Sequence, residues 1–378
     1  MKNFYTNLLS KLKLKFTNNI FKTTTSKRNH SKSQNPIYYR QFFLFPIIFM
    51  PKLAFSEDEK ESDKLDMKEI VKGEYENKIR AFASIEKRFL VFARVKKTGD
   101  YKMNYVQFLE SLIPFNYIKT RSVEDMEKFL ESNENFQKII KYIDVNNDNF
   151  ISFEEYICLS LLLSNPVKIL KERFPDGKIS KGEFTDFFMD ELQKQNSMKI
   201  TNQSFLDGRV VKTDELKLRQ CIMDFFSKAF HNELKISIDK ELKFLKHKIY
   251  YLLNMYEFYQ IPQTSLNKIS IENFAKVLVS YVNIYKAKIL LRKIEEKKIL
   301  LEGEVSNDEF FCFFWFLNNI SEEKYEIFKG NKLSLEDLKK VFKEKIKLMP
   351  DIGFKINKSI SDRQLKVLIN LFDENGNR

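Results

Sequence analysis

The run Asp144-Val145-Asn146-Asn147-Asp148-Asn149-Phe150-Ile151-Ser152-Phe153-Glu154-Glu155 decides how the rest of the chain is read. Side-chain oxygens stand at positions 1, 3 and 5 of this twelve-residue stretch, in Asp144, Asn146 and Asp148. Phe150 at position 7 offers its backbone carbonyl. Ser152 at position 9 reaches an ion directly or through water, and Glu155 at position 12 brings a bidentate carboxylate. Ca2+ is a hard cation that takes about six to eight oxygens, and this spacing supplies about that number. The stretch therefore reads as an EF-hand loop. Position 6 usually holds glycine, because the turn needs a left-handed backbone; Asn149 is the next most tolerant residue there. Ile151 at position 8 is the apolar residue that pairs with a sister loop.

The flanks agree. Phe136, Ile139, Ile140 and Ile143 share one helical face before the loop. Phe153, Tyr156, Ile157 and Leu161 share another after it, until Ser164-Asn165-Pro166 stops the helix. The plain alternative is a surface Asp/Asn turn between two helices.

Outward from this unit a pattern recurs: an apolar residue, then Ser, Thr or Asn, then an apolar residue four places on. Met103-Asn104…Phe108, Ile151-Ser152…Tyr156, Ile179-Ser180…Phe184 and Ile200-Thr201…Phe205 carry it. So do Ile236-Ser237, Ile269-Ser270…Phe274, Val305-Ser306…Phe310 and Leu333-Ser334…Leu338. This is the second half of an EF-hand loop: the bridging residue, the residue that caps the exit helix, and an early core residue of that helix. The expected fold class is all-α, a multi-EF-hand chain in which most loops are degenerate. In the copy around Ile179, Asp176 and Glu183 keep positions 5 and 12, but Glu172, Phe174 and Pro175 ruin the front half. At the end of the chain Asp373, Asn375 and Asn377 occupy positions 1, 3 and 5, and no bidentate glutamate follows. Both are weak or degenerate calcium candidates.

Charge is unevenly placed. Residues 1–56 hold ten of the 65 Lys/Arg and no acid; without them the balance is 55 against 52 acids. The basic character belongs to this leader, which argues against a nucleic-acid partner for the body. A basic, Ser/Thr/Asn-rich, acid-free leader reads as mitochondrial targeting, the alternative being a disordered basic arm. Phe42 to Pro51 is apolar but interrupted by Pro46, too short for the roughly 20 residues of a spanning helix. We read 37–55 as a sorting or membrane-association element, with an anchor as the other reading. Cys158, Cys221 and Cys312 are far apart and His30, His231 and His247 do not cluster with them, so no zinc site or Cys/His nucleophile is indicated. With no glycine-rich phosphate loop, nucleophile elbow or HExxH, we expect no enzyme. The lysines at 240, 243, 246 and 248, at 286 and 288 with Arg292 and Lys293, and from 339 to 347 read as solvated helix faces. A contact with an acidic pore mouth or anionic lipid is the alternative. The run Phe310 to Phe316 reads as helix core.

From Tyr75-Glu76-Asn77-Lys78-Ile79-Arg80 through Phe89…Phe92-Ala93 and Phe108…Ser111-Leu112-Ile113-Pro114, the order of motifs resembles the mitochondrial calcium uptake proteins, EF-hand regulators of the mitochondrial calcium uniporter. Ile151-Ser152-Phe153…Tyr156-Ile157, Leu163-Ser164-Asn165-Pro166, Cys221 ahead of Phe225-Phe226, Phe313…Phe316-Leu317-Asn318-Asn319-Ile320 and Leu371-Phe372-Asp373 extend the match. The resemblance implies residues 57–122 as an N-terminal domain, 123–258 as a first EF-hand lobe with its competent loop at 144–155, and 259–378 as a second lobe. It implies a calcium-sensing subunit that gates the uniporter, with Ca2+ as cofactor. The implied setting is the intermembrane space at the inner-membrane surface, as a homodimer or a heterodimer with a related EF-hand protein. The sequence departs from the family where its working loops are expected, at the degenerate stretch ending in Glu183 and the truncated Asp373 stretch; the competent loop occupies a place that is often a dead loop. A calcium-tuned scaffold or adaptor that gates no channel is the alternative function.

Overall fold

The computed structural model describes residues 67–97, 99–165, 167–197, 211, 214–282, 284–296, 302–319, 335–353 and 355–372. The leader, the Ile200 copy of the repeat, the Leu333 bridging position, and Asp373, Asn375 and Asn377 lie outside them. The described residues are helices joined by short loops, with strands of three residues each, so the fold is the expected all-α one. They divide into two compact units, one over 65–262 with 350–355 and one over 263–349 with 356–378. No helix among the described residues is long and apolar enough to cross a membrane.

The first unit is built from loops joined two by two. Helices Ile85–Phe92 and Tyr105–Leu112 form a first hand, and Glu134–Ile143 and Phe153–Ser164 a second. Their loops meet at Met103 and Ile151, whose backbones exchange N–H···O bonds of 3.0 and 2.8 Å. Helices Val167–Arg173 and Lys181–Ser197 form a third hand, and Glu215–Ala229 and Lys243–Gln260 a fourth. Strand Lys178–Ser180 runs antiparallel to Lys235–Ser237, with Ile179 opposite Ile236. All four bridging side chains are at most 1% exposed. Full burial of such a side chain contributes about 1.5–3 kcal/mol, so the pairing needs no ion to hold it. The second unit repeats the device: Lys268–Ser270 pairs with Glu304–Ser306, placing Ile269 opposite Val305 ahead of helices Ile271–Ser280 and Asn307–Asn319. The run Phe310 to Phe316 is core, as expected, with Phe313 packed on Phe274 at 4.9 Å between ring centres and Phe316 on Phe342 at 5.3 Å.

The residue after each bridge starts the exit helix. Ser152, Ser180 and Ser306 accept from the amides of Glu155, Glu183 and Glu309, and each glutamate carboxylate takes the serine amide in return. Such reciprocal caps satisfy two amides that the helix start leaves unpaired. In the fourth hand the glutamate comes one residue later, at Glu241. A π turn over Ile238–Leu242 absorbs the extra residue, and Glu241 still reaches the Ser237 amide. Helix Met67–Phe82 is tied to the first hand by Arg80, which is buried. Its Nε donates to the Glu110 carbonyl, an Nη donates to Asn77 Oδ1, and the guanidinium lies 4.6 Å from the Phe92 ring centre.

One basic run departs from the solvated face expected of it. On helix Lys243–Gln260, Lys246 is 6% exposed, and its Nζ donates to the Asn165 carbonyl at 2.6 Å. The helix is buried over most of its circumference, so a lysine that looks outward on a wheel is enclosed here. Lys248 lies against aromatic rings, with Phe244 at 4.5 Å.

Candidate metal centre

The 144–155 loop begins where helix Glu134–Ile143 ends and closes where Ser152 caps Phe153–Ser164. Phe136, Ile139, Ile140 and Ile143 are all buried, as are Phe153, Tyr156, Ile157 and Leu161, so both flanking helices are anchored. Between them the backbone turns left-handed at Asn147 (φ 54) and Asn149 (φ 64). Asparagine tolerates that conformation with little cost, which lets the loop wrap without the usual glycine.

The wrap centres on Asp144, which is 2% exposed. Its Oδ2 accepts from the Asn149 amide at 3.0 Å and from the Tyr105 hydroxyl at 2.7 Å, and its Oδ1 accepts from the Asp148 amide at 3.2 Å. Asn146 Oδ1 also accepts from the Asp148 amide, and Asp148 Oδ1 from the Phe150 amide. The other Asp148 oxygen pairs with the Lys102 ammonium. Glu155, 3% exposed, joins the two ends of the loop. Its Oε1 accepts from Val145 and Asn146 amides at 2.7 and 3.3 Å, while Oε2 takes the Ser152 amide and hydroxyl, both at 2.8 Å. Burial pushes the Glu155 carboxyl up, against the pull of its Ser152 hydrogen bonds. Burial and the bond to Asp144 push the Tyr105 phenol up as well, keeping it a donor.

Asp144, Asn146, Asp148, Phe150, Ser152 and Glu155 thus stand in one wrapped loop. Among the described residues no three His, Cys, Asp or Glu side chains converge closely enough to hold a metal ion as placed. All six carboxylate oxygens of Asp144, Asp148 and Glu155 are engaged by protein donors. An all-oxygen donor set in this order fits a hard cation, and taking one requires these carboxylates to exchange partners.

Asp176 and Glu183 go separate ways. Asp176 accepts from the Lys178 amide, and Glu183 is turned to the Ser180 cap. Glu172, where position 1 should be, is still inside helix Val167–Arg173, and Phe174 packs on Phe187. The front of that loop is taken up by the end of a helix and a half-buried ring. Three residues around the 144–155 loop escaped the sequence reading: Lys102, Tyr105 and Lys228. Lys228 Nζ reaches Asn147 Oδ1 at 3.0 Å and the Asp144 carbonyl at 3.3 Å. Lys102 and Tyr105 flank the bridging Met103, so the repeat itself was the signal that could have found them.

The fold and this loop define a helical protein of paired EF-hands. Comparison with known proteins narrows the class. The chain is similar to the mitochondrial calcium uptake proteins over about four-fifths of its length, as its motif order indicates. It is 24% identical over 336 residues to calcium uptake protein 1, mitochondrial, of Danio rerio, covering 80% of this chain and 65% of that protein. It is 24% identical over 322 residues to the calcium uptake protein, mitochondrial, of Arabidopsis thaliana, covering 80% and 62%. The chain therefore spans somewhat less than two thirds of the length of these relatives. A crystal structure of EFHA2 in its calcium-binding state covers 78% of this chain and 92% of its own, at 20% identity and a TM-score of 0.46. No family model matches the chain.

Proposed function

We propose that this chain is a calcium sensor that regulates mitochondrial calcium uptake, acting on the uniporter complex from the intermembrane-space face of the inner membrane. The observation that carries the proposal is the 144–155 loop, whose oxygen donors stand in calcium-binding order on a buried, bridged scaffold. Asp144, Asn146, Asp148, the Phe150 carbonyl, Ser152 and Glu155 would hold Ca2+, which supplies charge to draw the carboxylates inward. Glu155 is the lever, because it lies at the start of helix Phe153–Ser164 and is hydrogen-bonded to the opposite end of the loop. Trading the Val145 and Asn146 amides for an ion would shift that helix and its packing on Phe89. The mitochondrial setting and the link to calcium uptake are supported by the names of the relatives; the uniporter partner and dimerisation with a related EF-hand chain are part of the same reading.

A second reading has its own observation. The hands at Ile179, Ile236, Ile269 and Val305 are held by bridges and caps without a full ligand set, as a calcium-blind scaffold would be. Uptake by mitochondria lacking this protein, complemented with wild type or Glu155→Gln at matched levels, separates the two. A calcium threshold restored by wild type and altered by the variant supports the sensor. Uptake that is the same with wild type, variant or nothing refutes it and leaves the scaffold.

A further inference from the structure

We propose that Lys102 is a built-in counter-cation of the 144–155 loop, which calcium must expel from Asp148 in order to bind. The inference rests on calcium being the ligand of that loop, and it adds a determinant of affinity that belongs to the neighbouring hand.

The lysine is not a loose surface residue. Its backbone pairs with Val95 across the hairpin Val95–Lys97/Asp100–Lys102. The next residue, Met103, is locked to Ile151, and the one after, Asn104, caps helix Tyr105–Leu112. The backbone that carries it is fixed at three consecutive residues, and its ammonium pairs with Asp148 where the two side chains are 17% and 32% exposed. Two other lysines approach the loop without touching a carboxylate. Lys97 lies 3.6 Å from the centre of the Phe150 ring, and Lys228 meets the Asp144 carbonyl and Asn147 amide oxygens. Lys102 alone of the three neutralises a position that calcium needs.

An ammonium and a divalent ion repel, so both cannot sit on Asp148 at full strength. The loop's affinity is therefore set by an exchange: one cation leaves as another arrives. Because Lys102 adjoins the bridge, its release carries calcium occupancy to the first hand, and by linkage whatever holds Lys102 elsewhere favours calcium. No change in the loop's own ligands is required.

The test is calcium titration of the full chain by calorimetry, with wild type, Lys102→Met, Lys102→Arg and Lys97→Met. Lys102→Met is expected to tighten the calcium dissociation constant by up to about fivefold, the scale of one partly screened charge pair. Lys102→Arg keeps the charge and stays within about twofold of wild type, as does Lys97→Met, which removes a nearby charge not seated on a carboxylate. Binding by all four proteins with equal affinity, or equal tightening by Lys97→Met, overturns the counter-cation and leaves the calcium reading intact. No binding by any of the four at millimolar calcium overturns both.

Discussion

Glu155→Gln separates what this residue does for folding from what it does for an ion. The carboxylate accepts four hydrogen bonds, from the Val145, Asn146 and Ser152 amides and the Ser152 hydroxyl. Glutamine keeps one oxygen and sets an NH2 against amides that also donate. One side of the bracket, either the loop start or the helix cap, must lose its acceptor. A charge-assisted hydrogen bond contributes about 1.5–3 kcal/mol and a helix cap about 1. Burial disfavours the charged carboxyl, as its raised pKa shows, and offsets part of this. The net loss is about 1–3 kcal/mol without calcium, and at about 2–4 °C per kcal/mol for a domain of this size the melting temperature falls by about 2–12 °C. The assay is scanning calorimetry in EGTA, with Glu183→Gln as the control because that carboxylate is exposed and serves only its cap. Calcium at a hundredfold excess over its dissociation constant should then add about 2.7 kcal/mol to wild type and nothing to Glu155→Gln. Equal melting of wild type and Glu155→Gln in EGTA would refute the bracket. Equal calcium stabilisation of the two would refute the ligand role.

Other perturbations reach the scaffold. At Gly73 an added Cβ would lie 2.1 Å from Phe115 Cγ. The alanine gains about 0.5–1 kcal/mol of helix propensity but loses about 1–3 to overpacking, so Gly73→Ala should lower the denaturation midpoint. Ile179→Ala empties a fully buried bridge position and should cost about 2–4 kcal/mol in chemical denaturation while leaving calcium binding at 144–155 within about twofold. Burial, with Lys243 and Lys246 adding to it, lowers the His247 pKa from 6.5 to about 4. The folded state therefore prefers the neutral ring, and the unfolded chain binds the proton first as pH falls. The ring's contribution is intact above pH 6.5 and declines towards pH 4 by up to about 3 kcal/mol; His247→Gln should flatten that slope in melts taken across the window.

Much of this arrangement is legible in the sequence because it rests on local rules. The ligand order, the flanking helical faces and the recurring apolar-Ser pair are each set by residues a few places apart. The same locality gives the repeat a use besides ligation: Ser180 with Glu183 and Ser306 with Glu309 cap their helices. Glu183, a weak or degenerate calcium candidate by its position 12, makes the same serine cap as Glu155. What could not be read depends on distant packing. Lys246 looks solvated until the rest of the unit encloses its helix, and Lys228 reaches the loop from 81 and 84 positions away. The π turn at Ile238 was hidden because a one-residue shift of Glu241 breaks the pattern on paper, and the backbone repairs it.

The bridges also impose a parity on the chain. Each loop offers a bridging residue to a neighbour, and among the described residues these are consumed in couples: Met103 with Ile151, Ile179 with Ile236, Ile269 with Val305. Ligands can therefore erode from one loop at a time, since a silent loop still serves its neighbour. Whole hands cannot be lost so freely. Excising one leaves its former mate with an open edge whose natural remedy is the matching edge of another molecule, so such a deletion would turn a self-contained fold into an adhesive one.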